Sequence, residues 1–324
     1  MQNLDQWSAA IDAAAARIKG RVARTDLRRA EKLSARFGVP IWLKLENRQI
    51  TGAFKLRGAT NALLSLDDET RARGVTTAST GNHGRALAHA AREAGTRSVV
   101  HISSLVPANK VAALKEEGAE TRVVGRSQDE ADVAARALAR EAGLAYIPPF
   151  DHADVIAGQG TIGREILEDL PDPELVLIPL SGGGLAAGIA AAIKAGSPTT
   201  RVIGISMENG AAMHESIKAG HPVAVEEAES LADSLGGGIG EDNRHTFGLC
   251  RDLLDDTVLL TEDEIAAGIR AAAEEGETVE GGAAVGLGAI LAGKVALRGP
   301  TVAILSGANI DPALHRRILA HEAA

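Results

Sequence analysis

Residues 175–188 read LVLIPLSGGGLAAG, and this stretch decides the fold class. An apolar run of strand length stops at a serine and three glycines, and an Ala-rich segment follows at once. Glycines between an apolar run and a helical pattern are typical of the turn that joins strand and helix in an α/β protein. The stretch therefore predicts a strand, a turn and a helix in succession.

The same alternation recurs along the chain. Further strands are predicted at residues 40–46, 75–79, 97–103, 121–125, 201–207, 257–261 and 301–307. Ala-, Leu- and Glu-rich segments with helical spacing lie between them, as at 85–95, 129–143 and 262–276. We therefore predict an α/β protein with parallel sheets flanked by helices.

Composition and charge narrow the class of protein. The chain has 324 residues, 45% of them hydrophobic, and a formal net charge of 34 − 43 = −9. At about 150 residues per domain this length predicts two domains. The acidic balance argues against a nucleic-acid partner, and no apolar stretch reaches the ~18 residues that span a bilayer. Because no stretch is long enough, we expect no membrane partner. Because the single Cys250 cannot form an intramolecular disulfide, we expect a cytoplasmic protein.

The serine and glycines at 181–184 are more than a turn requires. Backbone N–H groups at a glycine-rich helix N-terminus can approach a phosphate, which the helix dipole also favours. The turn also matches the dinucleotide pattern G-x-G-x-x-A, at Gly182, Gly184 and Ala187. Glu208 lies just after the next predicted strand, where such a site has an acid that binds the ribose. A phosphate-bearing cofactor, a dinucleotide and a turn without a ligand all remain open.

A second polar turn lies at residues 77–84, with the sequence TASTGNHG. Ser79, Thr80 and Asn82 place hydroxyl and amide groups beside the unpaired N–H groups of a predicted helix start. One such residue suffices as an ordinary helix cap. Three of them with two glycines favour a binding site for a substrate carboxylate.

Two single residues also attract interest. Lys55 lies between Phe54 and Leu56, and a lysine in apolar surroundings has a lowered pKa, which makes its amine available to form a Schiff base. Ser306 ends the apolar run 302–305, at the carboxyl end of a predicted parallel strand, where open α/β sheets bind ligands. Taken alone, each is also compatible with a solvated lysine or a turn residue.

The chain resembles the fold-type II pyridoxal phosphate enzymes in four segments, GAFK (52–55), STGNHG (79–84), SGGGL (181–185) and SGAN (306–309). The resemblance covers nearly the whole chain and is greatest to the threonine dehydratase and serine racemase group. It implies a two-domain fold similar to the tryptophan synthase β subunit. Residues 52–146 would form a small substrate-binding domain, and residues 1–51 and 147–324 a large domain that binds pyridoxal 5′-phosphate. Relatives are commonly dimers, so we expect a homodimer.

The resemblance implies a role for each residue of the cofactor site. Lys55 would hold the cofactor covalently and shuttle protons, with Phe54 packed beside it. Asn82 would bond the 3′-oxygen of the cofactor, Ser306 would face its pyridine nitrogen, and Glu280 would lie near the ring. The cofactor phosphate would be bound by the backbone N–H groups of Gly182, Gly183, Gly184 and Leu185.

The resemblance also implies a substrate site and a reaction. The substrate carboxylate would be held by Ser79, Thr80, Gly81 and His83. A hydroxyl opposite the pyridine nitrogen enforces its protonation less than a carboxylate would, which favours expulsion of a β-leaving group over transamination. Lys55 would take the α-proton as general base, and a keto acid and ammonia would be the products. Thr80 stands where racemases carry a serine acid/base. Its extra methyl group argues against racemisation, although a serine-racemase-like isomerase remains an alternative.

Residues 231–250, LADSLGGGIGEDNRHTFGLC, bear on the substrate. They are similar to a subgroup that includes β-hydroxyaspartate dehydratases and hydroxyectoine-utilisation dehydratases. A second substrate carboxylate calls for an arginine, because a guanidinium binds it bidentately. Arg85 and Arg244 are the candidates, and each is also compatible with an ordinary surface arginine. We predict 3-hydroxyaspartate as the first substrate, with serine or threonine next and a hydroxyectoine derivative after them.

Glu208 has a second interpretation. It matches the first ligand of the divalent-metal site found in many relatives, so Mg²⁺ or Ca²⁺ is a further predicted ligand, although such a site needs several oxygens from the same loop. Two other classes compete with the family interpretation. A dinucleotide-binding oxidoreductase of the NAD type leaves Lys55 and the turn at 79–84 unexplained, and a non-catalytic binding protein requires that Lys55 form no Schiff base.

Overall fold

The computed structural model describes residues 3–79, 81–106 and 108–322. The helices are α1 (Leu4–Ile18), α2 (Glu31–Phe37), α3 (Lys55–Ser65), α4 (Asp68–Arg73), α5 (Asn82–Glu93), α6 (Ala108–Glu116), α7 (Gln128–Ala142), α8 (Ala153–Asp169), α9 (Gly184–Gly196), α10 (Ala212–Ala219), α11 (Thr246–Leu253), α12 (Glu262–Glu274), α13 (Gly281–Leu291) and α14 (Pro312–Leu319). The strands are β1 (Leu27–Arg29), β2 (Ile41–Lys44), β3 (Val75–Ala78), β4 (Ser98–Ile102), β5 (Glu120–Val123), β6 (Ala145–Tyr146), β7 (Leu175–Pro179), β8 (Arg201–Met207), β9 (Asp256–Leu260) and β10 (Thr301–Ile304).

The larger sheet has six strands in the order β1-β2-β10-β7-β8-β9. All neighbours are parallel except β1, which pairs antiparallel with β2. Its central strand β7 is buried on both faces. Leu175 and Leu177 join a core with α12 and α13, whereas Val176 and Ile178 join a core with α8 and α9. Burial on both faces explains the unbroken apolar run from which the fold class was predicted.

The smaller sheet has four parallel strands in the order β5-β4-β3-β6. It is built from residues 75–146, between the parts of the chain that supply the larger sheet. Helices flank both sheets, so the predicted α/β class with parallel sheets is confirmed. The domain boundaries at 51/52 and 146/147 stay a prediction.

The predicted strands and helices correspond to observed elements, with two strands added. The sequence pattern did not indicate β1, whose sequence LRR is mostly polar, because an edge strand with an exposed face needs no apolar run. It also missed β6, which is only two residues long.

Local capping fixes where several helices begin. Ser127 and Glu130 form a reciprocal capping box at the start of α7, and Thr261 and Glu264 do the same for α12. Asp311 caps α14, which has a proline in its first turn. None of the helices in the described ranges is long and apolar enough to cross a membrane.

Candidate active site

Lys55 is the first residue of α3, and its amine lies in a largely desolvated position. Its Nζ donates to the carbonyl oxygen of Pro149 at 2.8 Å and lies 5.1 Å from the centre of the Phe54 ring. Desolvation lowers the pKa of Lys55 to about 8, although the charge of Glu280 opposes this. About one amine in ten is then neutral at pH 7, as a nucleophile or a base requires.

The glycine turn before α9 has no side chains to cover the backbone N–H groups of residues 182–184. An added Cβ at Gly182 would lie 2.4 Å from the Phe150 ring, and one at Gly184 would lie 3.0 Å from Phe150 Cα. Gly183 has φ +87°, a conformation that favours glycine. Within the described ranges, the N–H groups from Gly182 to Leu185 donate to no partner. The turn therefore offers a set of free donors at a helix N-terminus, as an anion site requires.

The predicted carboxylate turn joins β3 to α5. Ser79 is partly buried, and its carbonyl oxygen would lie 2.1 Å from a Cβ added at Gly84, so the turn packs directly on the helix. Gly81 is exposed at the N-cap position of α5. Thr80, predicted to act as a catalytic and substrate-binding residue, lies outside the described residues.

His83 is buried in the first turn of α5. Its Nε2 donates to the carbonyl oxygen of Ile147 at 2.9 Å, and its Nδ1 has no partner in the described part of the chain. Burial and the nearby charge of Lys55 lower the pKa of His83 to about 3. The ring is therefore neutral at physiological pH, and with Nε2 committed as donor its Nδ1 can only accept. A carboxylate contact from His83 would have to come from its backbone N–H.

Asn82 connects the small sheet with the segment before α13. Its Nδ2 donates to Oε1 of Glu280 at 2.8 Å, and its Oδ1 accepts from Asn309 Nδ2 at 2.6 Å. Burial raises the pKa of Glu280 above its usual range, while the bond from Asn82 lowers it. Glu280, predicted from the family resemblance, thus lies within electrostatic range of Lys55.

Ser306 follows β10 at its carboxyl end. It is buried, and its hydroxyl makes no hydrogen bond to the described residues. Its carbonyl oxygen accepts from the backbone N–H of Phe54 at 3.0 Å, and Ala53 pairs with Gly307 in a short antiparallel bridge. These contacts fix the end of β10 against the residue that precedes Lys55.

The segment from Pro149 to Asp151 is a part of the site that the sequence did not reveal. Pro149 accepts from Lys55, and Phe150 packs against the glycine turn. The carboxylate of Asp151 accepts from the three backbone N–H groups of residues 244–246, at 2.7, 2.9 and 2.9 Å, and so caps α11. The sequence gives no sign of these contacts, because none of the partners is near in the chain.

The two arginines predicted to bind a second carboxylate lie in different surroundings. Arg85 Nη1 donates to Asn309 Oδ1 at 3.3 Å, and its Nε lies 3.6 Å from Oε1 of Glu117. Arg244 is exposed, and its backbone N–H rather than its side chain binds Asp151. The structure therefore brings Arg85 into contact with one of the four motifs, whereas the Arg244 side chain makes no hydrogen bond or ion pair to the described residues.

Glu208 follows β8 and is exposed. No group of three or more His, Cys, Asp or Glu side chains in the described ranges is arranged to hold a metal ion. The predicted Mg²⁺ or Ca²⁺ site therefore has no support in this structure.

Comparison with known proteins defines the class. The sequence profile of the pyridoxal-phosphate dependent enzymes matches residues 18–307, so the chain belongs to this family. This membership removes the basis for the dinucleotide-binding oxidoreductase.

Individual relatives are more specific. The chain is 57% identical over 311 residues to a protein of Sinorhizobium fredii provisionally named a threonine dehydratase, with 95% of this chain and 94% of that one covered. It is 43% identical to the L-threonine ammonia-lyase of Geobacter sulfurreducens, over 91% of this chain and 73% of the relative.

Solved structures show the same fold. The processed form of threonine deaminase isoform 2 from Solanum lycopersicum has a TM-score of 0.90 and 35% identity, with 98% of this chain and 87% of that chain covered. Maize serine racemase also has a TM-score of 0.90, with 31% identity and 97% of both chains covered. A threonine deaminase and a serine racemase thus share this architecture.

Proposed function

We propose that this protein is a pyridoxal phosphate-dependent ammonia-lyase. It would eliminate the β-hydroxyl of a small β-hydroxy amino acid as water, and hydrolysis of the resulting enamine would then give a keto acid and ammonia. The observation that carries the proposal is the combination of a desolvated Lys55 amine with the free backbone N–H groups of the glycine turn at the start of α9. A cofactor that carries both an aldehyde and a phosphate requires an amine to bind the aldehyde and free N–H groups to bind the phosphate. The family membership and the names of the relatives support the same class.

The protein residues fit this cofactor. Gly182, Gly183, Gly184 and Leu185 would bind the phosphate through their free N–H groups, which the dipole of α9 assists. Asn82 and Glu280 would lie at the edge of the ring, and Ser306 would offer its unpaired hydroxyl to the pyridine nitrogen. When bound, the cofactor supplies an electron sink for charge that develops at the substrate α-carbon.

Lys55 would carry the proton chemistry of the reaction. With a pKa of about 8, its Nζ can take the α-proton from the substrate, and the β-hydroxyl must gain a proton to leave as water. The Pro149 carbonyl, 2.8 Å away, orients this amine. The neutral Ser306 hydroxyl does not impose a charge on the ring nitrogen as a carboxylate would. We infer that loss of the β-hydroxyl is therefore favoured over transamination.

The N-terminus of α5 would hold the substrate carboxylate. The first-turn N–H groups of a helix favour an anion, and Ser79, Gly81 and His83 lie at this helix start. Thr80, between Ser79 and Gly81, belongs to the same proposed set.

Threonine and serine are the first substrates to test, since several relatives are named for threonine. A second candidate is 3-hydroxyaspartate, favoured by the position of Arg85. Its guanidinium contacts Asn309 and has Glu117 nearby, and its Nη2 has no partner in the described part of the chain. An additional carboxylate on the substrate would have a donor there.

The proposal is tested by the absorption spectrum of the purified protein, followed by a keto-acid assay. Wild-type protein should show a yellow band that borohydride abolishes. Lys55→Ala should lack the band and lose about 10³-fold in kcat, which is typical of removing a general base. The exposed Lys218, which only approaches Glu215 at 4.0 Å, supplies the matched control Lys218→Ala, expected to keep both. A colourless wild type that gains no band with added pyridoxal phosphate would refute the proposal.

The choice of substrate is tested with Arg85→Ala and Arg85→Lys. Because charged hydrogen bonds contribute about 1.5–3 kcal/mol, Arg85→Ala should lower kcat/KM for 3-hydroxyaspartate about tenfold to hundredfold more than for serine. Arg85→Lys should retain part of that preference as a point charge. Equal losses on both substrates would exclude Arg85 as the second-carboxylate site. Chiral analysis of unreacted serine distinguishes elimination from racemisation in the same samples.

A further inference from the structure

The side-chain amide of Asn309 has a partner for every polar group it carries. Its Nδ2 donates to Asn82 Oδ1 at 2.6 Å and to the carbonyl oxygen of Thr51 at 3.3 Å. Its Oδ1 accepts from Arg85 Nη1 at 3.3 Å. Asn309 follows the last strand of the six-stranded sheet, whereas Asn82 and Arg85 belong to the helix that follows β3 of the four-stranded sheet. This side chain therefore joins the two sheets beside the site.

The hydrogen bonds continue from Asn82 to the residues around Lys55. Asn82 Nδ2 donates to Glu280 Oε1 at 2.8 Å, and Glu280 lies close enough to Lys55 to act on its charge. An amide nitrogen only donates, and its oxygen only accepts. With Arg85 a donor at one end and a carboxylate an acceptor at the other, the orientation of both asparagine amides is fixed by the chain itself.

Two glycines leave the space that this chain of hydrogen bonds occupies. A Cβ added at Gly52 would lie 2.8 Å from Asn309 Oδ1, and one at Gly307 would lie 2.8 Å from Glu280 Oε1. The carbonyl oxygen of Gly52 also accepts from the backbone N–H of Ala308 at 2.8 Å. The backbone next to Asn309 is thus fixed to the segment that precedes Lys55.

We propose that Asn309 is a positioning residue, which holds the Asn82 amide against Glu280 beside Lys55. This inference rests on the proposed function, because it assumes that Asn82 and Lys55 face the cofactor. In the described part of the chain, Asn82 Oδ1 accepts a hydrogen bond from Asn309 and from no other residue. Without Asn309, the amide of Asn82 could rotate, and its second N–H would no longer point reliably into the site.

The test compares two substitutions of Asn309 with one of Asn61 in the holoenzyme. Asn309→Asp keeps the size of the side chain and its bond from Arg85, but a carboxylate cannot donate to Asn82 or to Thr51. Asn309→Ala removes the whole group. Asn61 is the matched control, because this buried asparagine also links separate elements, accepting from Arg17 and donating to the Asp154 carbonyl oxygen. The measurements are the absorption spectrum of the bound cofactor, its Kd from titration of the apo-protein, kcat, KM and Tm.

Both Asn309 variants should shift the absorption maximum, raise the cofactor Kd about tenfold and lower kcat about tenfold, as expected for one lost hydrogen bond. Their KM and Tm should stay close to wild type, since Asn309 is exposed. Asn61→Ala should lower Tm and leave the spectrum, Kd and kcat unchanged. A structural role for Asn309 would instead move Tm and not the spectrum.

Two results would overturn the inference. One is an Asn309→Asp protein with the wild-type spectrum, Kd and kcat, and the other is an Asn61→Ala protein with the same losses as the Asn309 variants. In both cases the wild-type enzyme still captures the cofactor, so the proposed function stands. A wild type that captures no cofactor would overturn both.

Discussion

At the scale of single residues, the surroundings decide the chemistry. Lys55 is an ordinary lysine in sequence, and desolvation by the protein lowers its pKa to about 8. His83 is an ordinary histidine, and burial lowers its pKa to about 3. The lowered pKa of Lys55 makes its amine available for reaction. The lowered pKa of His83 keeps its ring neutral, so this ring places no second positive charge beside the same site.

The lowered pKa of Lys55 predicts the pH dependence of cofactor capture. Only the neutral amine attacks an aldehyde, so the rate at which apo-protein gains the yellow band with added pyridoxal phosphate should rise with pH through about 8 and then level off. Rapid-mixing absorbance over the neutral and alkaline range measures this rate. Nα-acetyllysine serves as the control, with its midpoint near the unperturbed value of about 10.4. A midpoint for the protein that matches the control would contradict the assignment of Lys55.

Gly183 provides a prediction on the glycine turn. Its φ of +87° disfavours alanine by about 1–2 kcal/mol, and an added Cβ would lie 2.7 Å from Met213 Cε, which costs about 1–3 kcal/mol more. Gly183→Ala should therefore lower both the free energy of unfolding and the cofactor affinity. Gly220→Ala is the control, since Gly220 has φ +79° and no atom within 4 Å of an added Cβ. Equal effects of the two substitutions in urea unfolding and cofactor titration would exclude a special role for the turn.

At the scale of elements, a buried charge network anchors the helix that carries Lys55. Arg57, on α3, donates to both oxygens of Glu46 at 2.8 and 2.9 Å and to both oxygens of Glu165 on α8 at 2.6 and 2.9 Å. Lys44, at the end of β2, donates to Glu165 at 2.6 Å. Burial opposes the charge of Glu46, yet Arg57 keeps the pKa of that carboxyl below its usual range. The start of α3 is thereby tied to the larger sheet and to α8.

Removal of Arg57 should be costly, because it leaves buried carboxylates without their partner. We expect Arg57→Ala to lower the free energy of unfolding by about 3–5 kcal/mol, and Arg57→Lys by less, since an ammonium cannot pair bidentately. The partly exposed Arg164, which pairs with Asp12 and Glu168, is the control, and its alanine variant should change stability by no more than about 1 kcal/mol. Urea denaturation compares them. A loss at Arg57 no larger than that at Arg164 would show that the network contributes little.

At the scale of the whole molecule, both sheets supply the site. Asn82 belongs to α5, which packs on the smaller sheet, and Lys55 belongs to α3, which packs on α5 and α8. The glycine turn and Ser306 follow strands of the larger sheet. A ligand that contacts both parts stabilises the folded chain as a unit, by about 2.7 kcal/mol at a concentration of 100 times its Kd. The predicted homodimer and the cytoplasmic location stay predictions.

Thermal unfolding tests this shared site. Tm should rise with the concentration of pyridoxal phosphate, and pyridoxal without the phosphate should raise it less, because it leaves the free N–H groups of the glycine turn unused. Lys55→Ala should retain a smaller response than wild type, through the phosphate alone. Identical shifts with the two ligands would contradict a phosphate role for residues 182–185.

The sequence predicted the elements better than the contacts. The apolar runs and glycine turns indicated β7, β10 and α9 correctly, because a doubly buried strand leaves a continuous apolar pattern. The edge strand β1 left no such pattern. The roles of Pro149 and Asp151 were also not apparent, since their partners Lys55 and residues 244–246 are about a hundred positions away in the chain.

By itself, the sequence determined the α/β class and the four motifs, which depend on residues close together in the chain. Tertiary structure alone decided that Asn82 contacts Glu280, that Arg85 contacts Asn309, and that Lys55 is desolvated. The physical reason is that hydrogen-bond partners and pKa shifts depend on distance and burial, which are set by the packing of segments far apart in sequence.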